Sequence, residues 1–137
     1  MILKNCMNRT LLATVALDFS SVTASASTIT VCASGCDYTS INAAIAAASN
    51  GDVIQLAAET YFEGSVINTQ GKAVTIRGTL NEVGEPTSVL NGNDSHRVLI
   101  CNQGEAASTV FRNLSIRNGR YKGGSASGMY NYYSGPT

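Results

Sequence analysis

Apolar positions along the chain change period once, and the change divides it. In residues 40–49, Ile41, Ala44, Ile45 and Ala48 recur at helical spacing, so one narrow apolar stripe marks a short amphipathic helix. Thr39 or Ser40 is placed to cap its start. Asn50-Gly51 is placed to stop it, because both residues tolerate left-handed backbone. The stripe is mostly alanine, so this helix is stable only when laid against another element. Before it, Thr28 to Val31 alternates polar and β-branched residues and predicts a short strand. After Gly51 the period becomes two. Asp52-Val53-Ile54-Gln55-Leu56-Ala57 alternates, and so do Ala73-Val74-Thr75-Ile76-Arg77-Gly78 and Asn113-Leu114-Ser115-Ile116-Arg117-Asn118-Gly119.

These strand-sized units echo one another. The pair Ile54 and Leu56 recurs as Val74 and Ile76, and after twice that interval as Leu114 and Ile116. Arg97-Val98-Leu99-Ile100 fills the gap as a further apolar strand, displaced by a few positions. In a second series, Ser65-Val66-Ile67-Asn68 recurs as Ser88-Val89-Leu90-Asn91-Gly92 at a slightly longer interval. Repetition at roughly 20–25 residues, with Gly/Asn turns between short strands, is the signature of a solenoid. Each coil has too few inward residues for a core of its own, and stacking lines them up into one interior. The expected fold is therefore an all-β parallel β-helix over residues 51–137. Residues 27–50 would supply an opening strand and a capping helix that covers the first coil's unpaired edge. A doubly wound α/β sheet lacks its helices here. An antiparallel sandwich is the competing architecture, and it leaves both echoes unexplained.

Composition agrees with a wall of short strands and polar turns. Only 13% of the 137 residues are charged, formal net charge is zero, and there are two prolines and no tryptophan. A neutral total gives no field to draw nucleic acid or an anionic membrane, so neither is an expected partner. No apolar run reaches the length of a membrane span. Residues 1–26 read as an export signal. Lys4 and Arg9 precede the apolar run Leu11 to Leu17, Ala24-Ser25-Ala26 offers a cleavage site, and Asp18 sits awkwardly near the apolar core. The expected location is secreted, periplasmic or cell-surface.

Export would remove Cys6 and leave Cys32, Cys36 and Cys101. Cys32 and Cys36 are spaced to close a small disulfide loop, or to stand as free thiols. A metal reading would need His96 and Cys101 as further ligands, without the paired spacing such sites use. Cys101, at the end of Val98-Leu99-Ile100, reads as a buried thiol. No cofactor is called for.

The run from Cys36 through Tyr38-Thr39-Ser40-Ile41, the alanine helix, Gly51-Asp52-Val53-Ile54-Gln55-Leu56 and Tyr61-Phe62-Glu63-Gly64 resembles the start of pectin-lyase-like proteins. The likeness continues through Gly71 to Gly78, Leu90-Asn91-Gly92 and Leu114 to Gly119. It implies a right-handed parallel β-helix. Gly123 to Asn131, with its Gly-Met-Tyr-Asn ending, looks like a segment of repeat-rich bacterial surface β-helices. In those proteins Ser-x-Pro-Thr and a further strand follow. That resemblance implies an N-terminal fragment with a bare last coil, open to self-association.

The lyases of this family hold calcium with acidic residues and use an arginine or lysine base. The methylesterases use two aspartates with an arginine and glutamines, and both sets belong to coils beyond this chain. Here Asp37 and Asp52 read as turn residues. Asp94, His96 and Arg97, within Asn91 to Arg97, form a polar cluster with chemical range. The same stretch equally suits an Asx-rich turn, and Asn93-Asp94-Ser95 is formally a glycan sequon. Arg112, Arg117, Arg120 and Lys122, with Tyr121, Tyr130, Tyr132 and Tyr133, offer charge and ring faces to an acidic polysaccharide, or else form a solvated wall. Catalytic and substrate-binding residues are not identified. The expectation is a non-catalytic surface module, adhesin-like or carbohydrate-contacting. The alternative is part of a pectate-lyase-like enzyme whose site lies on other coils.

Overall fold

A computed structural model describes residues 25–123, 128–132 and 136. All but the last two positions of the expected leader lie outside these, as do Cys6, Asp18 and Tyr133. The described chain is a parallel β-solenoid with one short helix. Strand β1 (Thr28–Val31) and helix α1 (Ile41–Ala47) come first. They are followed by β2 (Val53–Leu56), β3 (Thr60–Tyr61), β4 (Ile67–Asn68), β5 (Thr75–Arg77), β6 (Ser88–Asn91), β7 (Leu99–Cys101), β8 (Val110–Arg112), β9 (Leu114–Arg117) and β10 (Met129–Asn131). From β2 on, successive strands visit three sheets in strict rotation. Sheet I runs β1-β2-β5-β8, sheet II β3-β6-β9 and sheet III β4-β7-β10, and every named pairing is parallel.

The alternation of each strand sends one set of residues inward. Ile54 pairs with Ile76 and Ile76 with Phe111 in sheet I. Tyr61, Leu90 and Ile116 stack in sheet II, and Ile67, Leu99 and Met129 in sheet III. Ile54, Ile76, Leu90 and Leu99 are wholly buried, while Phe111, Ile116 and Met129 on the last described coil are only partly covered. Leu56 and Val31 extend the same core toward α1.

The stacking register departs from the sequence echoes. The echo places Val74 beside Ile54, but Ile54 lies against Ile76, one strand alternation further on. Leu114 and Ile116 do not continue the series of Val74 and Ile76. They pair with Ser88 and Leu90 in sheet II, and Val110–Arg112 takes the place below β5. The strand expected at Arg97 to Ile100 forms as Leu99–Cys101 in sheet III, in register with β4. The second echo likewise joins β4 to β6, which lie in different sheets. The reason is physical. Inward positions of all three sheets take the same aliphatic side chains, and coil length varies because corners absorb insertions. The coil from Thr75 to Val110 is much longer than the one before it, and it carries a hairpin closed by a Leu80–Pro86 bridge.

Helix α1 packs on β1, β2 and β4 with Ile41, Ala44 and Ile45 buried. Both its ends are tied down by charge from the next coil. The Glu63 carboxylate accepts from Ser40 Oγ (2.8 Å), Ile41 N (2.7 Å) and Asn42 N (3.1 Å). The Lys72 ammonium donates to the carbonyls of Ile45, Ala46 and Ala48 at 2.7–2.9 Å. An anion at the first turn and a cation at the last complement the helix dipole and satisfy the end groups that a short helix leaves open. Ser40 is the N-cap and accepts from Ala43 N.

Candidate functional site

The corners between sheets II and III carry the densest chemistry, and two stretches from successive coils meet there. Asn91 closes β6 opposite Arg117, which closes β9. The following turns, 92–97 and 118–123, therefore stack. Asn93 and Asp94 take left-handed backbone (φ 48° and 52°), as does Asn118 (φ 51°), a conformation that Asn and Asp tolerate best among residues with a Cβ. Asp94 N donates to Asn118 O, Arg120 N donates to His96 O, and Asn118 Nδ2 reaches Asn91 Oδ1. Gly92 is required between them, since a Cβ there would stand 2.6 Å from Asn118 O.

These turns open onto the outer face of sheet III, forming a cleft of ≈ 410 Å³. Val66, Ile100 and the Tyr121 ring give it apolar walls, and Ser95, His96, Arg97, Arg120 and Lys122 complete it. Ile100 lines it because it alternates outward between the buried Leu99 and Cys101. The Arg97 guanidinium lies 3.5 Å from the centroid of Tyr121 and 4.2 Å from that of Tyr130. Tyr130 and Tyr132 stand on one side of the chain with parallel rings, 6.2 Å between centroids and 8° between planes. Such cation–π contacts hold a positive charge in place without neutralising it. The His96 Nδ1 lies 2.7 Å from Arg97 O, and a carbonyl only accepts, so the ring proton sits on Nδ1.

Of the polar cluster expected from sequence, His96 and Arg97 join the cleft. Asp94 is exposed on the turn and does not line it. Arg120, Tyr121 and Lys122 come to the same place from the next coil, and Tyr130 and Tyr132 flank it through the contacts above. Arg112 and Arg117 lie elsewhere. Arg112 is in register with Arg77 on sheet I, and Arg117 donates from Nε to Ser115 Oγ on sheet II. Val66 and Ile100 are the lining residues that sequence reasoning missed. The repeated strand-end pair Asn91-Gly92 and Asn118-Gly119 was the signal that the two turns follow stacked strands, one position out of their true register.

Elsewhere the titratable groups serve the fold. Asp37 Oδ2 accepts from Thr30 N and Oγ1, and those bonds, the backbone one first, hold its carboxyl below the usual range. Asp52 is held low by N–H donation from Ser49 and then Ser27. Both line one open depression beside β1, but a general acid needs a raised pKa and both are lowered. Cys32 and Cys36 form a disulfide, with Cα atoms 5.5 Å apart. Cys101 is buried and free, and His96 lies on the outer wall, so the four residues of the metal alternative are not gathered. Burial first, then the Glu105 carboxylate, pushes the Cys101 thiol up to about 11. Glu105 is itself buried, where its Oε1 accepts from Thr69 Oγ1 and Gly71 N and its Oε2 from Gln103 N. Among the described residues no group of three His, Cys, Asp or Glu is placed to hold a metal ion, and no helix is long and apolar enough to cross a membrane. Compared with protein-family models, with curated proteins and with solved structures, the chain matches none.

Proposed function

We propose that this chain is a non-catalytic module of an exported or cell-surface protein, a right-handed β-helix of pectin-lyase-like type that contacts carbohydrate through the outer face of sheet III. The observation that carries the reading is the aromatic platform there: parallel Tyr130 and Tyr132 rings, with Tyr121 and Tyr130 each stacked on Arg97. The exposed Tyr121 and Tyr132 rings and the half-buried Tyr130 offer ring surface to the C–H faces of sugars, and the cationic rim favours acidic polymers. Helix α1 acts in this reading as the cap of the first coil, since it packs over β1 and β4, the first strands of sheets I and III. Right-handed winding is the sense that parallel crossovers take. The Cys32–Cys36 disulfide suits an oxidising compartment. The half-covered Phe111, Leu114, Ile116 and Met129 on the last described coil favour self-association, which sedimentation velocity measures as a concentration-dependent shift.

The direct test is retention on immobilised polygalacturonate, alginate and neutral glucan, compared with a Tyr130→Ala/Tyr132→Ala variant. Retention by the acidic polymers that the variant loses supports the reading. Equal retention of both proteins contradicts it. Calcium-dependent release of unsaturated products from polygalacturonate contradicts its non-catalytic part.

A further inference from the structure

The cleft beside the tyrosine platform has a chemistry of its own. Its walls are Val66, Ile100 and Tyr121, and its charged groups are all cationic or neutral: Arg97, Arg120, Lys122 and His96. No Asp, Glu, Asn or Gln lines it. Sugar hydroxyls need acceptors as well as donors, and this lining is poor in acceptors. Its side-chain acceptors are the Ser95 and Tyr121 hydroxyls and His96 Nε2, since Ser95 Oγ donates to Gly92 O and His96 Nδ1 to Arg97 O. An apolar body with one anionic end meets both halves of the lining, burying its ring or alkyl face on Val66 and Ile100 and giving its charge to the rim. Arg120 and Lys122 place two cationic side chains on this rim. The volume, ≈ 410 Å³, lies within the range of small-molecule sites and suits a single ring.

We propose that this cleft binds a small free carboxylic acid with an apolar body, of the aryl or cycloalkyl carboxylate class. The carboxylate lies between Arg120 and Lys122, and the body lies on Ile100, Val66 and Tyr121. Gly123 lies against the Tyr121 ring, one wall of the cleft. A Cβ at that position would overlap Tyr121 Cε1 and stand 2.8 Å from its Cζ, so Gly123→Ala must displace the ring. The inference goes beyond polymer contact by the tyrosine platform, and its test separates the two.

The test is a titration of the ¹⁵N-labelled chain, followed by amide shifts, with benzoate, cyclohexanecarboxylate, benzyl alcohol and glucuronate. Benzoate and cyclohexanecarboxylate should shift the amides of His96, Ile100 and Arg120 saturably. Benzyl alcohol, which lacks the charge, and glucuronate, which has the charge on a hydroxylated body, should each bind at least about tenfold more weakly. Arg120→Gln/Lys122→Gln should weaken benzoate by a similar factor, while Arg117→Gln, outside the cleft, leaves it unchanged. Benzyl alcohol binding as well as benzoate overturns the proposal. So does glucuronate binding as well as benzoate, although that result leaves carbohydrate contact standing. Absence of saturable benzoate shifts overturns it outright. The ligand series on the unaltered chain decides the matter even where the double variant is unstable.

Discussion

Single residues here mostly stabilise the fold, and their titration makes that testable. Asp52 is held below the ordinary carboxylate range by two backbone N–H donors. A lowered folded pKa contributes stability that is present above the unfolded value, about pH 4, and is lost as pH falls through the folded one. Asp52→Asn should therefore lower stability at neutral pH and flatten its acid limb, read as urea midpoints across about pH 2.5–7. An unchanged slope below about pH 4 would contradict the assignment. Cys101 shows the opposite sign. Its thiol is pushed up to about 11, so the protonated, buried form persists through neutral pH and its contribution is lost only as pH rises toward that value. Cys101 of the native chain should resist alkylation at about pH 8, and its reactivity should appear only with denaturant. Sequence made this burial legible, because Cys101 closes an apolar run; the carboxylate of Glu105 beside it was not legible, since only the path of the following corner brings the two together.

At the scale of elements, helix α1 illustrates how little of its stability is its own. Seven residues, four of them alanine, form a helix because Glu63 and Lys72 complete its ends and its isoleucines enter the core. Lys72→Met leaves three carbonyls without their ammonium donor. It should cost about 1–2 kcal/mol and loosen α1 before the sheets, seen as faster amide exchange confined to residues 41–48. The corners are stricter. Gly78 donates its N–H to Arg112 O, and a Cβ there would overlap Asn113 O and stand 2.8 Å from the Ser88 Cβ. Gly78→Ala therefore forces the β5–β6 corner away from β8 and β9. It should destabilise by about 2 kcal/mol or more, measured by chemical denaturation. The helix and most strands were readable from periodicity, because each is set by its own alternation. The strands β3, β8 and β10 were not: β3 offers only Thr60-Tyr61, and in β8 and β10 the pairs Val110-Phe111 and Met129-Tyr130 stand side by side and show no alternation. The cleft was half readable: its charged and aromatic members stood out as two clusters, but their meeting depends on which turns stack.

The whole molecule rests on register. Sequence repetition pointed to stacked coils, yet equal spacing was the wrong guide, because parallel strands stack by hydrogen bonding whatever length of corner lies between them. A short coil from Val53 to Thr75 is followed by a far longer one from Thr75 to Val110. That difference moves β9 out of sheet I and into sheet II, and it brings residues 118–123 over 92–97 to build the cleft. Fold and site thus depend on the same pairing, and one measurement reaches both. Two double-cysteine chains are oxidised, and their cross-links are mapped by peptide mass spectrometry. In Thr75→Cys/Val110→Cys the two positions are direct neighbours in sheet I, within the Cα separation a disulfide spans. In Thr75→Cys/Ser115→Cys they are positions that the sequence echo would put in one sheet, but they lie in different sheets. The solenoid described here predicts a bond between positions 75 and 110 and none between 75 and 115. A bond between 75 and 115, with none between 75 and 110, would contradict the register and with it the cleft.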